Sequence, residues 1–120
     1  MVETGVGGCV VTLSFNRPAV FNGTPGIEML MTSEMRVAVD DNDARVCIVT
    51  GRGPVYQVAE HRSNREFDPV TRRHAAARGY LQHYFDAFIS FPKPVIAALN
   101  GSAYGGSATS ISHCDSVVAV

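Results

Sequence analysis

A charge excess, a disulfide-type cysteine set and a long apolar run are all missing from this chain of 120 residues, and each absence closes off a class of protein. The formal net charge is -1, and the basic residues are scattered, with Arg72-Arg73 the only adjacent pair. That leaves no electrostatic footprint for nucleic acid or an anionic membrane surface. No basic patch is interleaved with aromatics, so the stacking logic of single-strand binders is missing too. Cys9, Cys47 and Cys114 are odd in number and far apart, which excludes a disulfide framework and a zinc motif. They read as small buried hydrophobes in a reducing compartment. No apolar run reaches the length of a membrane span. Met1-Val2-Glu3-Thr4-Gly5 has neither a signal-peptide pattern nor an organelle presequence pattern, so a cytosolic site of synthesis is expected.

Two nucleotide motifs are also absent. A dinucleotide fingerprint needs G-x-G-x-x-G at the first strand-to-helix turn, whereas Gly101-x-x-x-Gly105-Gly106 stands in a late one. No Gly-Lys-Ser/Thr marks a P-loop. The histidines His61, His74, His83 and His113 show no metal-ligand spacing, and the acidic run Asp40-Asp41-Asn42-Asp43 lacks the glycine and distal glutamate of a calcium loop. No metal and no cofactor are expected.

What is present is a chain 46% hydrophobic, sufficient for a core, in which short apolar runs alternate with helical periodicity. Cys9 to Phe15 reads as a strand ended by Asn16-Arg17-Pro18. Asn22-Gly23-Thr24-Pro25 reads as a turn that starts a helix, with Thr24 as N-cap and Pro25 at the first helical position. Ile27, Met31, Met35 and Ala38 then form an apolar stripe that packs on a sheet. Val46 to Val49 is a buried strand, Val55 to Ala59 a short extended piece, and Glu60 to Pro69 a polar surface loop of the kind that borders binding sites. Thr71 to Phe91 reads as a second helix with Leu81, Tyr84, Phe85 and Phe88 on one side. Tyr80 and Tyr84 are core or interface aromatics, and His74 and His83 exposed positions. Val95 to Leu99 reads as a strand covered on both faces, followed by a short helix around Ala108 to His113 and a last strand. The alternation predicts an α/β fold built on a mainly parallel sheet. The apolar end Val117-Val118-Ala119-Val120 leads to the expectation that these residues are the first part of a larger protein.

The chemistry-bearing stretch is Phe91 to Ser107, where an apolar strand runs into a turn carrying Gly101, Gly105 and Gly106. Such a turn either presents bare backbone N–H groups to a ligand or is a tight strand-to-helix connection. A Ser107-His113-Asp115 triad is disfavoured, because the serine lacks a flanking elbow glycine pattern and His113 lies too near it in sequence. Two turns, Tyr56 to His61 and Tyr104 to Ser107, follow buried strands at their C-terminal ends, where α/β sheets place ligands. Paired N–H groups from both would form an oxyanion hole.

In order along the chain, Val10-Val11-Thr12-Leu13-Ser14-Phe15-Asn16-Arg17-Pro18 with Asn22, then Val46-Cys47-Ile48-Val49-Thr50-Gly51, then Phe91-Pro92-Lys93-Pro94-Val95-Ile96-Ala97-Ala98-Leu99-Asn100-Gly101, and Cys114-Asp115 resemble the crotonase superfamily of enoyl-CoA hydratases and isomerases. The resemblance implies a crotonase-like ββα spiral, of which residues 1–120 are the N-terminal part of a single domain. It implies an acyl-CoA thioester as substrate and an oxyanion hole at the backbone N–H groups of Glu60 and Gly106. Ala19, Val20, Phe21, Ala59, His61 and Gly105 would border the acyl-CoA. A homotrimer or hexamer and a peroxisomal or mitochondrial home are implied by the family alone.

Departures narrow the activity. Gln57-Val58-Ala59-Glu60-His61 stands where the family reads Ser-x-Gly-Ala/Asn-Asp, and Thr109 stands where hydratases carry their first catalytic glutamate. The resemblance is therefore closest to peroxisomal-type Δ3,Δ2-enoyl-CoA isomerases, whose proton-moving glutamate would lie beyond Val120. Glu60 reads as an exposed loop carboxylate and not as a substitute base. The alternatives are a non-catalytic or truncated crotonase-fold protein, or another crotonase chemistry such as hydration, dienoyl-CoA isomerisation or thioester hydrolysis.

Overall fold

Strand-forming residues at period two and helix-forming residues at period three to four sort the described residues into two sheets and three helices. A computed structural model describes residues 1–23, 26–58 and 73–120. The expectations on Thr24, Pro25, Ala59, Glu60, His61 and the loop to Pro69 lie outside the described residues, as do those on the side chains of His74 and Tyr80. The elements are β1 (Val2–Gly7), β2 (Val10–Phe15), a 3-10 turn (Pro18–Val20), α1 (Ile27–Asp40), β3 (Val46–Gly51), β4 (Val55–Gln57), α2 (Arg73–Ile89), β5 (Val95–Leu99), β6 (Ser102–Ala103), α3 (Gly106–Ile111) and β7 (Ser116–Ala119).

The larger sheet has the order β1-β2-β3-β5-β7, and β4 pairs with β6 in a second sheet. β2, β3, β5 and β7 are mutually parallel, in registers such as Leu13↔Val49, Val49↔Ala97 and Ala97↔Val117. Each crossover between parallel neighbours carries a helix, and from β3 onward it also carries one short strand of the second sheet. That repeat is the ββα pattern expected. β1, antiparallel to β2, is an addition to the expected order. Gly5, Gly7 and Gly8 dilute its alternation, which hides the strand in the sequence.

The apolar stripe of α1 packs as read: Ile27, Met31, Met35 and Ala38 are buried, together with Val11, Leu13, Phe15, Cys47, Val49 and Val95 of the sheet and Tyr84 and Phe88 of α2. Within the described residues the helix starts at Ile27, with Gly26 as N-cap. Its C-terminus is held by Lys93, whose Nζ donates to the carbonyls of Ala38 and Asp41 at 2.8 and 2.6 Å. A cation there satisfies carbonyls that the last turn leaves without partners.

Two expectations fail. Val95 and Ala97 are buried, but Ile96 and Ala98 on the opposite face are only half-buried, as are Val46 and Ile48 of β3. The buried residues of α1 and α2 cluster with Cys47, Val49 and Val95, on the face opposite these half-buried side chains. The strand is apolar on both sides and covered on one. Of the cysteines, Cys47 is buried and Cys114 half-buried, but Cys9 is exposed beside the β1–β2 turn.

Candidate functional site: a glycine turn beside a clamped strand

β4 is only Val55–Gln57, too short to hold itself in place, and side-chain amides fix it from two directions. Asn22 is fully buried; its Nδ2 faces the carbonyls of Arg52, Val55 and Tyr56 at 3.1, 3.2 and 3.0 Å, and its Oδ1 accepts from the Arg17 N–H at 2.7 Å. Asn100 approaches from the end of β5, its Nδ2 donating to Gly53 and Val55 carbonyls at 2.7 and 3.1 Å while its Oδ1 accepts from the Gly51 N–H at 3.1 Å. Gly101 then passes so close that a Cβ there would sit 2.1 Å from the Pro54 carbonyl oxygen. Only glycine permits that approach. Tyr56 and Gln57 are both fully buried, Tyr56 edge-on to Phe15 with ring centres 5.5 Å apart.

Beside the end of β4 lies the glycine turn. The Ser107 hydroxyl is buried, 2.8 Å from the carbonyl oxygens of both Gln57 and Tyr104, and it accepts from the Tyr104 N–H at 3.1 Å. The same Tyr104 N–H lies 3.1 Å from the Gln57 carbonyl. The two strand-to-turn junctions singled out in the sequence are thereby bonded to one another. Gly105 has φ 66 and ψ -131, a conformation closed to side chains, and the Thr109 N–H donates to its carbonyl at 3.2 Å. Because the peptide is planar, fixing that carbonyl fixes the opposing Gly106 N–H. As the first residue of α3, Gly106 has no helical acceptor for its N–H. A developing oxyanion is the kind of group such a donor can serve.

The predicted residues divide accordingly. Gly105 and Gly106 form the turn. Ala19, Val20 and Phe21 lie exposed on the Pro18–Val20 turn and its end, and the Phe21 carbonyl accepts from the Val58 N–H at 3.1 Å, which brings that loop against the segment leaving β4. Glu60, Ala59 and His61 fall outside the described residues. Thr109 is exposed, its hydroxyl 3.4 Å from the Gly105 carbonyl. The disfavoured triad does not form: Ser107 bonds main-chain groups, the Asp115 carboxylate accepts from the Val95 N–H at 2.8 Å, and the His113 ring sits 6.1 Å from that of Phe85.

Sequence reasoning missed a polar layer behind the turn. Gln57 Nε2 donates to Glu28 Oε1 at 3.2 Å, with Gln57 wholly buried and Glu28 5% exposed. Tyr84 donates to Ser110 Oγ at 3.0 Å, and Ser110 in turn donates to the Ser107 carbonyl at 2.8 Å. Burial raises the Tyr84 phenol, the Ser110 hydrogen bond opposes this, and the charge of Glu28 adds to it. A signal existed in the sequence: Glu28 stands three before Met31 and seven before Met35, on the apolar stripe itself.

Residues 5–120 match the family model described as enoyl-CoA hydratase/isomerase. The chain is 31% identical to enoyl-CoA delta isomerase 2 of Rattus norvegicus, covering 99% of this chain and 31% of that protein. It is 30% identical to 2,3-dehydroadipyl-CoA hydratase of Escherichia coli, over 92% of this chain and 42% of that one. Its fold is similar to that of an enoyl-CoA hydratase from Bacillus anthracis, with a TM-score of 0.85 at 24% identity, covering 98% of this chain and 46% of the other. The chain thus spans less than half the length of these proteins. With the family's motifs forming the clamp and the glycine turn, and the family model matched over almost every residue, the chain belongs to the enoyl-CoA hydratase/isomerase family, the crotonases.

Proposed function

We propose that the chain is the N-terminal part of a single crotonase-like domain that binds an acyl-CoA thioester, and that its chemistry is of the Δ3,Δ2-enoyl-CoA isomerase type. The observation that carries this is the Gly106 N–H, set beside the end of β4 by Ser107, with Thr109 and no carboxylate on the helix turn that follows. In the proposed mechanism the thioester carbonyl accepts from the Gly106 N–H and from the N–H of Glu60. Removal of a proton from C2 of a 3-enoyl chain places negative charge on that oxygen, and return of the proton at C4 gives the 2-enoyl product. Hydration needs a positioned acid and base for water, which Thr109 does not supply. The proton carrier is a carboxylate outside the turn. Ala19, Val20 and Phe21 border the CoA.

A second reading, a crotonase-fold module that binds acyl-CoA without turnover, is favoured by the same lack of a carboxylate on the turn. Relatives whose names carry a mitochondrial or a peroxisomal location occur in Dictyostelium discoideum and Mus musculus, so either organelle is proposed, with a homotrimer or hexamer as the assembly. Calorimetry with a 3-enoyl-CoA and with free CoA, followed by chromatography of the thioester, tests these points. Binding with 2-enoyl product supports the isomerase, binding without turnover supports the module, and no binding defeats both.

A further inference from the structure

We infer that Glu28 is a positioning residue for the glycine turn, acting through Gln57, an inference that rests on the thioester-binding reading above. A carboxylate taken out of water is costly unless it is hydrogen-bonded, and a hydrophobe in its place is often more stabilising. Glu28 nonetheless stands at 5% exposure on the core stripe of α1. Glu28 stands in the first turn of α1, where the helix dipole also favours a carboxylate. Its carboxylate meets Gln57, the last residue of β4, at 3.2 Å.

Gln57 links this contact to the turn. Its amide Nε2 reaches Glu28, and its own carbonyl receives the Ser107 hydroxyl at 2.8 Å and the Tyr104 N–H at 3.1 Å. Gln57 Oε1 makes no hydrogen bond to a described residue, so among the described residues the bond to Glu28 is the one that fixes the amide. Ser107 adjoins Gly106, and the Thr109 N–H holds the carbonyl of the Gly105–Gly106 peptide at 3.2 Å. The chain of bonds therefore runs from α1 through β4 to the peptide whose N–H faces the thioester. Donors contribute to an oxyanion in proportion to how well they are pre-aimed, and small displacements cost much of the effect. A glutamate tied to the strand end sets that aim from outside the site.

Difference infrared spectroscopy of carbonyl-labelled 2-butenoyl-CoA bound to the 120-residue chain reads the aim directly, with free-CoA affinity and the thermal midpoint measured on the same samples. The unmodified chain lowers the carbonyl stretch relative to buffer. Glu28→Leu is expected to lose more than half of that lowering while free-CoA affinity stays within twofold. Glu28→Gln keeps an oxygen acceptor for the Gln57 amide and is expected to restore most of it. If Glu28→Leu does not fold, Gln57→Met interrupts the same link from the strand side and should show the same loss. Full lowering in either folded variant overturns the inference. So does a Glu28→Gln that behaves like Glu28→Leu, or unfolding of all three. An unmodified chain that fails to bind the thioester, or binds it without lowering its stretch, overturns the proposed function itself and the role of Glu28 with it.

Discussion

At the residue scale the glycine turn separates two neighbours that look alike in the sequence. Gly105 holds φ 66 with ψ -131, whereas a Cβ on Gly106 would meet only Leu81 and Phe85 at 3.8 Å, ordinary contact distances. Gly105→Ala is therefore expected to cost about 1–3 kcal/mol, as forcing a side chain into a glycine-only conformation does. Gly106→Ala should stay within about 0.5 kcal/mol of the parent. Urea unfolding midpoints check both, and equal costs would refute the assignment of the backbone constraint to Gly105. The sequence marked the turn but not this difference, since φ is set by the direction in which β6 hands the chain to α3.

At the element scale β4 matters most, because three residues carry the end of one sheet to the site. Asn22 and Asn100 hold it through a shared acceptor, the Val55 carbonyl, at 3.2 and 3.1 Å. Each alanine substitution leaves main-chain groups without a partner, at about 1–3 kcal/mol. Asn22→Ala is the worse of the two, since Asn22 is fully buried and sits at φ 60, where alanine is strained. Contacts through one carbonyl are not independent, so the double variant should lose more than the sum of the singles in a denaturation cycle. Both asparagines stood in the motifs that carried the family resemblance, yet nothing in the sequence said that they meet on one strand. They are 78 positions apart, and their convergence follows from the parallel crossovers.

For the whole molecule, burial governs how the fold responds to pH. Burial pushes the Cys47 thiol up from 9.0 to about 12, helped by Cys114 and opposed by the Lys93 charge, and burial with the Asp115 charge pushes the Cys114 thiol to about 11. The folded state keeps these protons where the unfolded chain has lost them, so unfolding is favoured as pH rises. Their contribution is complete below pH 9.0 and is lost as pH climbs through the window to about 12. The buried phenols of Tyr56 and Tyr84, also raised, act in the same sense. The thermal midpoint should fall across that range, with a shallower slope in Cys47→Ala, and a flat profile would contradict the burial of these groups. At neutral pH, Ellman's reagent should meet exposed Cys9 first. The half-covered sheet belongs to this scale as well: Val117 and Val118 of β7 are 47% and 60% exposed, beside the half-buried Ile96 and Ala98.

Local regularities were enough to read the parallel strands, the apolar stripe of α1 and the bounds of β5, because periodicity and turn residues act over a few positions and need no knowledge of what packs against them. The family, too, was legible in ordered motifs. Which face of β5 is covered, which glycine carries the strained backbone, and that Glu28, Gln57 and Ser107 form one line behind the Gly106 N–H were decided only by the tertiary structure. Those are relations between residues distant in sequence. Crossover geometry brings them together, and no local preference encodes it.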